Sequence, residues 1–101
     1  MRKVTQQIAN AFAQGNKMTI GNTSTEGSEH GFHVKLHGNT IALKNESGIY
    51  MTLAGWNTTT TRERLNGIAQ VLGLDASFTQ RKFEPYFNGK QIGINQWFKV
   101  C

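Results

Sequence analysis

AGWNTTTTRERLNGIAQVLG, from Ala54 to Gly73, carries the chain out of an extended run and into an amphipathic helix. Leu65, Ile68, Ala69 and Leu72 recur at i, i+3, i+4 and i+7, which lays one apolar stripe along one helical face. Thr60 with Glu63 three residues later has capping-box form: the hydroxyl bonds an amide and the carboxylate reaches back. Gly73 is a natural stop, because glycine accepts a left-handed φ without a Cβ penalty. Two features oppose this helix. Gly67 in its interior costs about 1 kcal/mol relative to alanine. Arg62 and Arg64 sit near the positive end of the helix dipole, at about 0.3–1 kcal/mol each. Such breaches mark either compensated packing, with Glu63 offsetting the charge and Gly67 admitting a close backbone, or a functional position.

Upstream, Val4, Ile8, Ala11 and Phe12 recur at i, i+4, i+7 and i+8, so residues 3–14 read as a first helix ended by Gly15-Asn16. Met18 and Ile20 mark a short strand. NTSTEGSEHG, residues 22–31, is polar and glycine-bearing and reads as an exposed, mobile loop. A meander follows, with Phe32, Val34 and Leu36 alternating against His33, Lys35 and His37. Gly38-Asn39 reads as a tight turn into a strand with Ile41 and Leu43, and NESG (45–48) as the next turn into Ile49, Met51 and Leu53. Strands joined by such short turns are antiparallel neighbours. Downstream of the second helix, Ser77 to Glu84 reads as a strand ended by Pro85. Asn88-Gly89 then turns the chain into an alternating run, Ile92, Ile94, Gln96 and Phe98. The expected fold is one α+β domain over residues 1–101: an antiparallel sheet of five to six strands plus a C-terminal hairpin, with two helices on one face.

With 101 residues, 38% of them hydrophobic and 17% charged, the chain suits one small domain. Eleven basic against six acidic side chains give a net charge of +5, a balance that favours anionic partners. The single cysteine, Cys101, allows no internal disulfide, which suits a reducing cytoplasm. MRKVTQQIANAF is too interrupted by polar residues for a signal peptide, and no apolar run approaches the ~20 residues of a membrane span.

LHGNTIALK (Leu36 to Lys44), LAGWNTTTTRERLNG (Leu53 to Gly67) and the closing NGKQI resemble small proteins of tailed bacteriophages. There an LHGN-x-IA hairpin precedes a GW-x-T-x-TTR-x-RLN segment. The similarity covers most of residues 4–74. It implies a phage accessory protein in the host cytoplasm and transfers no catalytic residue. Phage accessory proteins often bind nucleic acid or disable host defence machinery.

Chemistry is sparse elsewhere. His30, His33 and His37 lie close in sequence, but on an extended strand His33 and His37 are about 13 Å apart at ~3.3 Å per residue. Zinc needs donors within about 2.1 Å of one ion, so neither a metal nor another cofactor is expected. A histidine–metal nuclease, with Asn39 assisting, is a distant third reading, and the protein reads as no enzyme. The stronger candidates are Thr58, Thr59, Thr60 and Thr61 with Arg62 and Arg64. Hydroxyls, free amides and guanidinium groups at a helix start suit phosphate oxygens. Arg81 and Lys82 form a second set, with Lys90 and Lys99, near Tyr86, Phe87 and Trp97, and basic residues among aromatics suit single strands. Trp56 reads as a core plug and Trp97 as covered. The expected partner is nucleic acid or a host nucleoprotein. The alternative is a host defence protein blocked by direct contact in the anti-CRISPR manner, through loop 22–31 or a sheet edge. An open sheet edge also admits a homodimer.

Overall fold

Lys3–Gln14 forms helix α1 and Thr59–Leu72 forms helix α2 in a computed structural model that describes residues 1–101. Each helix ends on a left-handed glycine, Gly15 at φ 72° and Gly73 at φ 69°. Lys44 adds a cap to α1: its Nζ donates to the Phe12 carbonyl at 2.7 Å and the Ala13 carbonyl at 3.3 Å, with the charge 5.0 Å from the Phe12 ring centre. A cation on the last carbonyls also suits the negative end of the helix.

The strands are β1 (Met18–Ile20), β2 (Thr23–Ser28), β3 (Gly31–Leu36), β4 (Asn39–Asn45), β5 (Gly48–Met51), β6 (Phe78–Arg81), β7 (Glu84–Phe87), β8 (Lys90–Gln91) and β9 (Phe98–Lys99). They form two antiparallel sheets rather than one: six strands in the order β1-β2-β3-β4-β5-β9, and three in the order β6-β7-β8. The α+β class holds, with both helices against one face of the larger sheet.

Register sets that face. Thr23 and Thr25 stand opposite Leu36 and Val34, and Val34 and Ala42 stand opposite each other, followed by Met51 and Phe98. These side chains meet Ile8 and Phe12 of α1 and Leu65 and Ile68 of α2 in one core. The opposite face carries Glu26, His33, Lys35, Tyr50 and Lys99, with Lys35 paired to Glu26 at 2.9 Å.

Several expectations need correction. Residues 22–31 are no loop but β2 and its turn, paired on both sides. Its alternating buried residues are threonines, whose methyls pack while the hydroxyls bond: Thr25 Oγ1 donates to the Asn16 carbonyl at 2.6 Å. The β3–β4 turn is His37-Gly38, not Gly38-Asn39, since Leu36 pairs with Asn39. The register then shifts between Val34 and Lys35, leaving Ile41 as an extra residue, so Ile41 and its neighbour Ala42 are both buried.

The run Ser77 to Glu84 is broken by a turn at Lys82-Phe83, and Pro85 lies inside β7. Arg81–Glu84 closes the two-residue hairpin, which makes Gln80–Pro85 a non-hydrogen-bonded pair, so the missing proline N–H costs that pairing nothing. The Ile92–Phe98 alternation does not extend β8. The chain leaves the small sheet, and only Phe98–Lys99 pair, with β5 of the large one. Phe98 joins Phe78 and Phe87 in an aromatic cluster, stacked on Phe87 at 4.3 Å, which ties the two sheets together.

The cap of α2 also moves. Thr58 Oγ1, not that of Thr60, accepts the Thr61 amide at 3.1 Å, and Glu63 turns towards α1. Starting the helix at Thr59 puts Thr61 on the buried stripe three and four residues before Arg64 and Leu65. It also moves Arg62 past the first three helical positions, where the dipole conflict is strongest, and Arg64 further still. Gly67 supplies the expected close approach, to a side chain of α1: a Cβ there would lie 2.2 Å from Thr5 Cγ2.

Candidate functional site

The start of α2 gathers most of the nominated residues and then divides them. Thr58, Thr60 and Thr61 line a cleft of about 420 Å3 together with Leu36, His37, Asn39, Ile41 and Trp56. Thr58 and Thr59 are exposed, while Thr61 is buried with its hydroxyl 2.9 Å from Thr58 Oγ1. The amides of Thr59 and Thr60 lie ahead of the first intrahelical bonds, as at any helix start.

Arg64 leaves the candidate set. It is 4% exposed, and its guanidinium donates to Thr23 Oγ1 at 3.2 Å, Thr5 Oγ1 at 2.7 Å and Glu63 Oε1 at 2.6 Å. The Thr5 hydroxyl itself donates a hydrogen bond to Glu63 Oε1, so one hydroxyl links cation and carboxylate. Burial pushes the Glu63 carboxyl up, but hydrogen bonds from Thr5, the Arg2 amide and Arg64, with the Arg64 charge, hold it below the ordinary value. This is a seam between the helices, and an external anion has no access to it.

Arg62 faces the other way. Its Nη1 donates to Asn57 Oδ1 and to Gln80 Oε1, the latter at 3.2 Å. Asn57 Nδ2 in turn donates to the Phe83 carbonyl at 3.2 Å. Asn66 holds the start of β6 like a strand partner, accepting the Phe78 amide at 2.7 Å and donating to the Phe78 carbonyl at 2.9 Å. The β6–β7 hairpin is thus fastened along α2, while Arg81, which alternates with Gln80, points to the hairpin's other face, where it and Lys82 line a hollow with Glu84 and Tyr86. Arg81 lies 5.6 Å over the Tyr86 ring.

Charge distinguishes the two arginines of α2. The ion pairs of the molecule are Lys35–Glu26, Arg64–Glu63 and a His30–Glu29 contact, so Arg62, Arg81 and Lys82 have no carboxylate partner. Arg62's partners are neutral amides, which orient the guanidinium and leave its charge in place.

Both tryptophan expectations are overturned. Trp56 is 57% exposed at the cleft and Trp97 is 47% exposed. Trp56 occupies a turn in which its amide bonds the Leu53 carbonyl, and the Gly55 amide bonds Ile94, so the backbone there is held while the ring projects outward. Phe83, 88% exposed, was missing from the candidates altogether. RKFEP gives no signal for it, because the run reads as continuous strand and the turn at Lys82-Phe83 shows only in the structure.

The histidines separate. His37 lines the cleft, with its Nε2 3.2 Å from Asn22 Nδ2. His33 sits on the outer face of the sheet between Ser28 and Thr40. Burial, then Lys35, lowers the His33 pKa despite Glu26. No three His, Cys, Asp or Glu side chains gather at metal-binding distance, and no helix is long and apolar enough to cross a membrane.

No curated protein and no solved structure matches the chain. The model of one phage protein family, described as Kyanoviridae Gp96 protein, matches residues 1–100. With that match spanning nearly every residue from α1 to β9, the chain belongs to the Kyanoviridae Gp96 protein family.

Proposed function

We propose that this phage protein is a non-catalytic binder of nucleic acid, free or within a host nucleoprotein, through the surface at the start of α2. The observation that carries the reading is a set of cations outside any ion pair, Arg62 on α2 and Arg81 and Lys82 on the hairpin fastened to it, in a region that also exposes the rings of Trp56 and Phe83. Cations without partners on a structured surface suit phosphate oxygens, and the Thr58 and Thr59 hydroxyls add donors for the same backbone. Thr61 holds Thr58 in place from beneath.

A second reading, direct contact with a host defence protein, draws on a different place. Ile94 and Trp97 are exposed apolar side chains on the segment between the two sheets. The interface would lie there, because residues 22–31 are engaged in the sheet.

Fluorescence anisotropy with labelled DNA and RNA at two salt concentrations tests the first reading. Each neutralised phosphate adds about 0.7–0.9 to the slope of log affinity against log salt. Binding that weakens with salt, and that is lost in Arg62→Ala/Arg81→Ala/Lys82→Ala, supports it. Absence of binding at low salt sinks it, and affinity capture with Trp97→Ala as control then tests the second.

A further inference from the structure

The three-stranded sheet contains two tight turns that invite comparison. Asn88-Gly89, at φ 49° and 84°, joins β7 to β8 with the residues that favour two successive positive φ values. Lys82-Phe83, at φ 48° and 68°, joins β6 to β7 in the same left-handed conformation, without an asparagine or a glycine. Side chains with a Cβ are strained there, and a phenylalanine more than most. The ring recovers nothing by burial, being 88% exposed. Neither turn chemistry nor packing accounts for Phe83.

Its position does suggest a use. The Phe83 carbonyl is held by Asn57, the residue after Trp56, and Arg62 donates to that same Asn57 side chain. The Asn57 amide thus joins the Arg62 guanidinium to the two chain positions that expose a ring, Trp56 next to it in sequence and Phe83 through its carbonyl. We infer that the ligand of this surface is single-stranded nucleic acid, with unpaired bases stacked on Trp56 and Phe83 and the intervening phosphate on Arg62. The inference rests on the nucleic-acid reading above and narrows it.

Stacking on a side-chain ring requires a base face that a duplex keeps covered, and it tolerates any base. A free two-stranded ribbon could enter a major groove, but this hairpin is fastened to α2 through Asn66, Asn57 and Arg62. Only its tip is presented, and the tip is an exposed aromatic ring between Lys82 and Glu84.

The test uses a Trp97→Phe protein, in which Trp56 is the sole tryptophan, titrated with oligo(dT), oligo(rU) and a duplex of equal length. Single strands should quench Trp56 emission and bind more tightly than the duplex. Lys82→Asn/Phe83→Gly should raise the melting temperature, by relieving the turn, and weaken single-strand binding about tenfold. A structural role for Phe83 would not produce opposite signs in one variant. Duplex binding as tight as single-strand binding, without quenching, overturns the inference and leaves the nucleic-acid reading standing. Unchanged affinity in the turn variant removes Phe83 from the site, and absence of binding to all three probes overturns both.

Discussion

Arg62 and Arg64 stand two residues apart on α2 and belong to different regions of the molecule. Arg64 lies in the seam with α1, where a carboxylate and two hydroxyls satisfy it. Arg62 lies on the side of the β6–β7 hairpin, held by two neutral amide oxygens. The seam is closed and its charges cancel; the hairpin side is open and its charges do not. A cation in the seam acts on stability, and a cation on the hairpin side can act on a ligand.

Removing the seam cation should produce the largest effect. Arg64→Ala takes the countercharge from Glu63, which keeps only Thr5 and the Arg2 amide, and the donor from two buried hydroxyls, and breaking such a buried pair costs about 3–5 kcal/mol. Glu63 keeps some solvent access, with its side chain 23% exposed, which places the expectation near the lower end, at about 3 kcal/mol. Urea denaturation measures it. A loss below about 1 kcal/mol, the size of a surface pair, would erase the distinction between the two regions.

The helices were legible in the sequence because their signals are local: apolar spacing for the buried stripe and a glycine at each end. Arg64 could have been read too, since it lies four residues before Ile68 on the stripe itself. β2 was not legible, because its buried residues are threonines whose partners arrive from elsewhere, Asn16 for Thr25 and Arg64 for Thr23. The Ile92–Phe98 alternation misled for the converse reason: its period suits a strand, but only Phe98–Lys99 reach a free edge. Ring size suggested burial for Trp56 and Trp97, whereas their exposure depends on how the loops settle after the core is filled. The cleft emerges only when the start of α2 meets the β3–β4 turn, and the setting of Arg62 only when α2 meets the β6–β7 hairpin.

Gly67→Ala should produce the next largest loss. Helix propensity alone favours the change by about 1 kcal/mol, yet the new Cβ would fall 2.2 Å from Thr5 Cγ2. Thr5 cannot turn aside, because it is buried and its hydroxyl serves both Glu63 and Arg64. Overpacking of this kind costs about 1–3 kcal/mol, so after the gain in propensity a net loss of about 1 kcal/mol is expected. Thr5→Ser removes the offending methyl and keeps the hydroxyl. The double variant should therefore be more stable than Gly67→Ala alone, and independent effects of the two changes would deny that they meet in the seam.

Acid should open the same seam more gently. A carboxyl held below its unfolded pKa contributes stability that is fully present above the unfolded value and lost as pH falls through the folded one. For Glu63 that window opens just below the ordinary carboxylate range. His33, also lowered, acts with the same sign from about pH 6.5 downward. Thermal melts across pH 3 to 7 should show the wild type losing stability towards acid, with a smaller loss in Glu63→Gln. Equal slopes for the two proteins would mean that Glu63 contributes nothing to the acid response.

Arg62→Ala should have the smallest effect on stability and a measurable one on binding. Its bonds run to neutral amides at a partly exposed site, so its loss should cost no more than about 1 kcal/mol of folding stability. On the hairpin side the lost quantity is a phosphate contact: binding should weaken, and the salt slope should become shallower by about one unit. Arg62→Lys sharpens the point. A lysine keeps the charge and loses the fork that grips Asn57 and Gln80, so it should restore most of the slope and only part of the affinity. A variant that loses several kcal/mol of stability with its salt slope intact would make Arg62 a second Arg64, a strut with no ligand. The open side of α2 would then need another explanation for its unpaired charge.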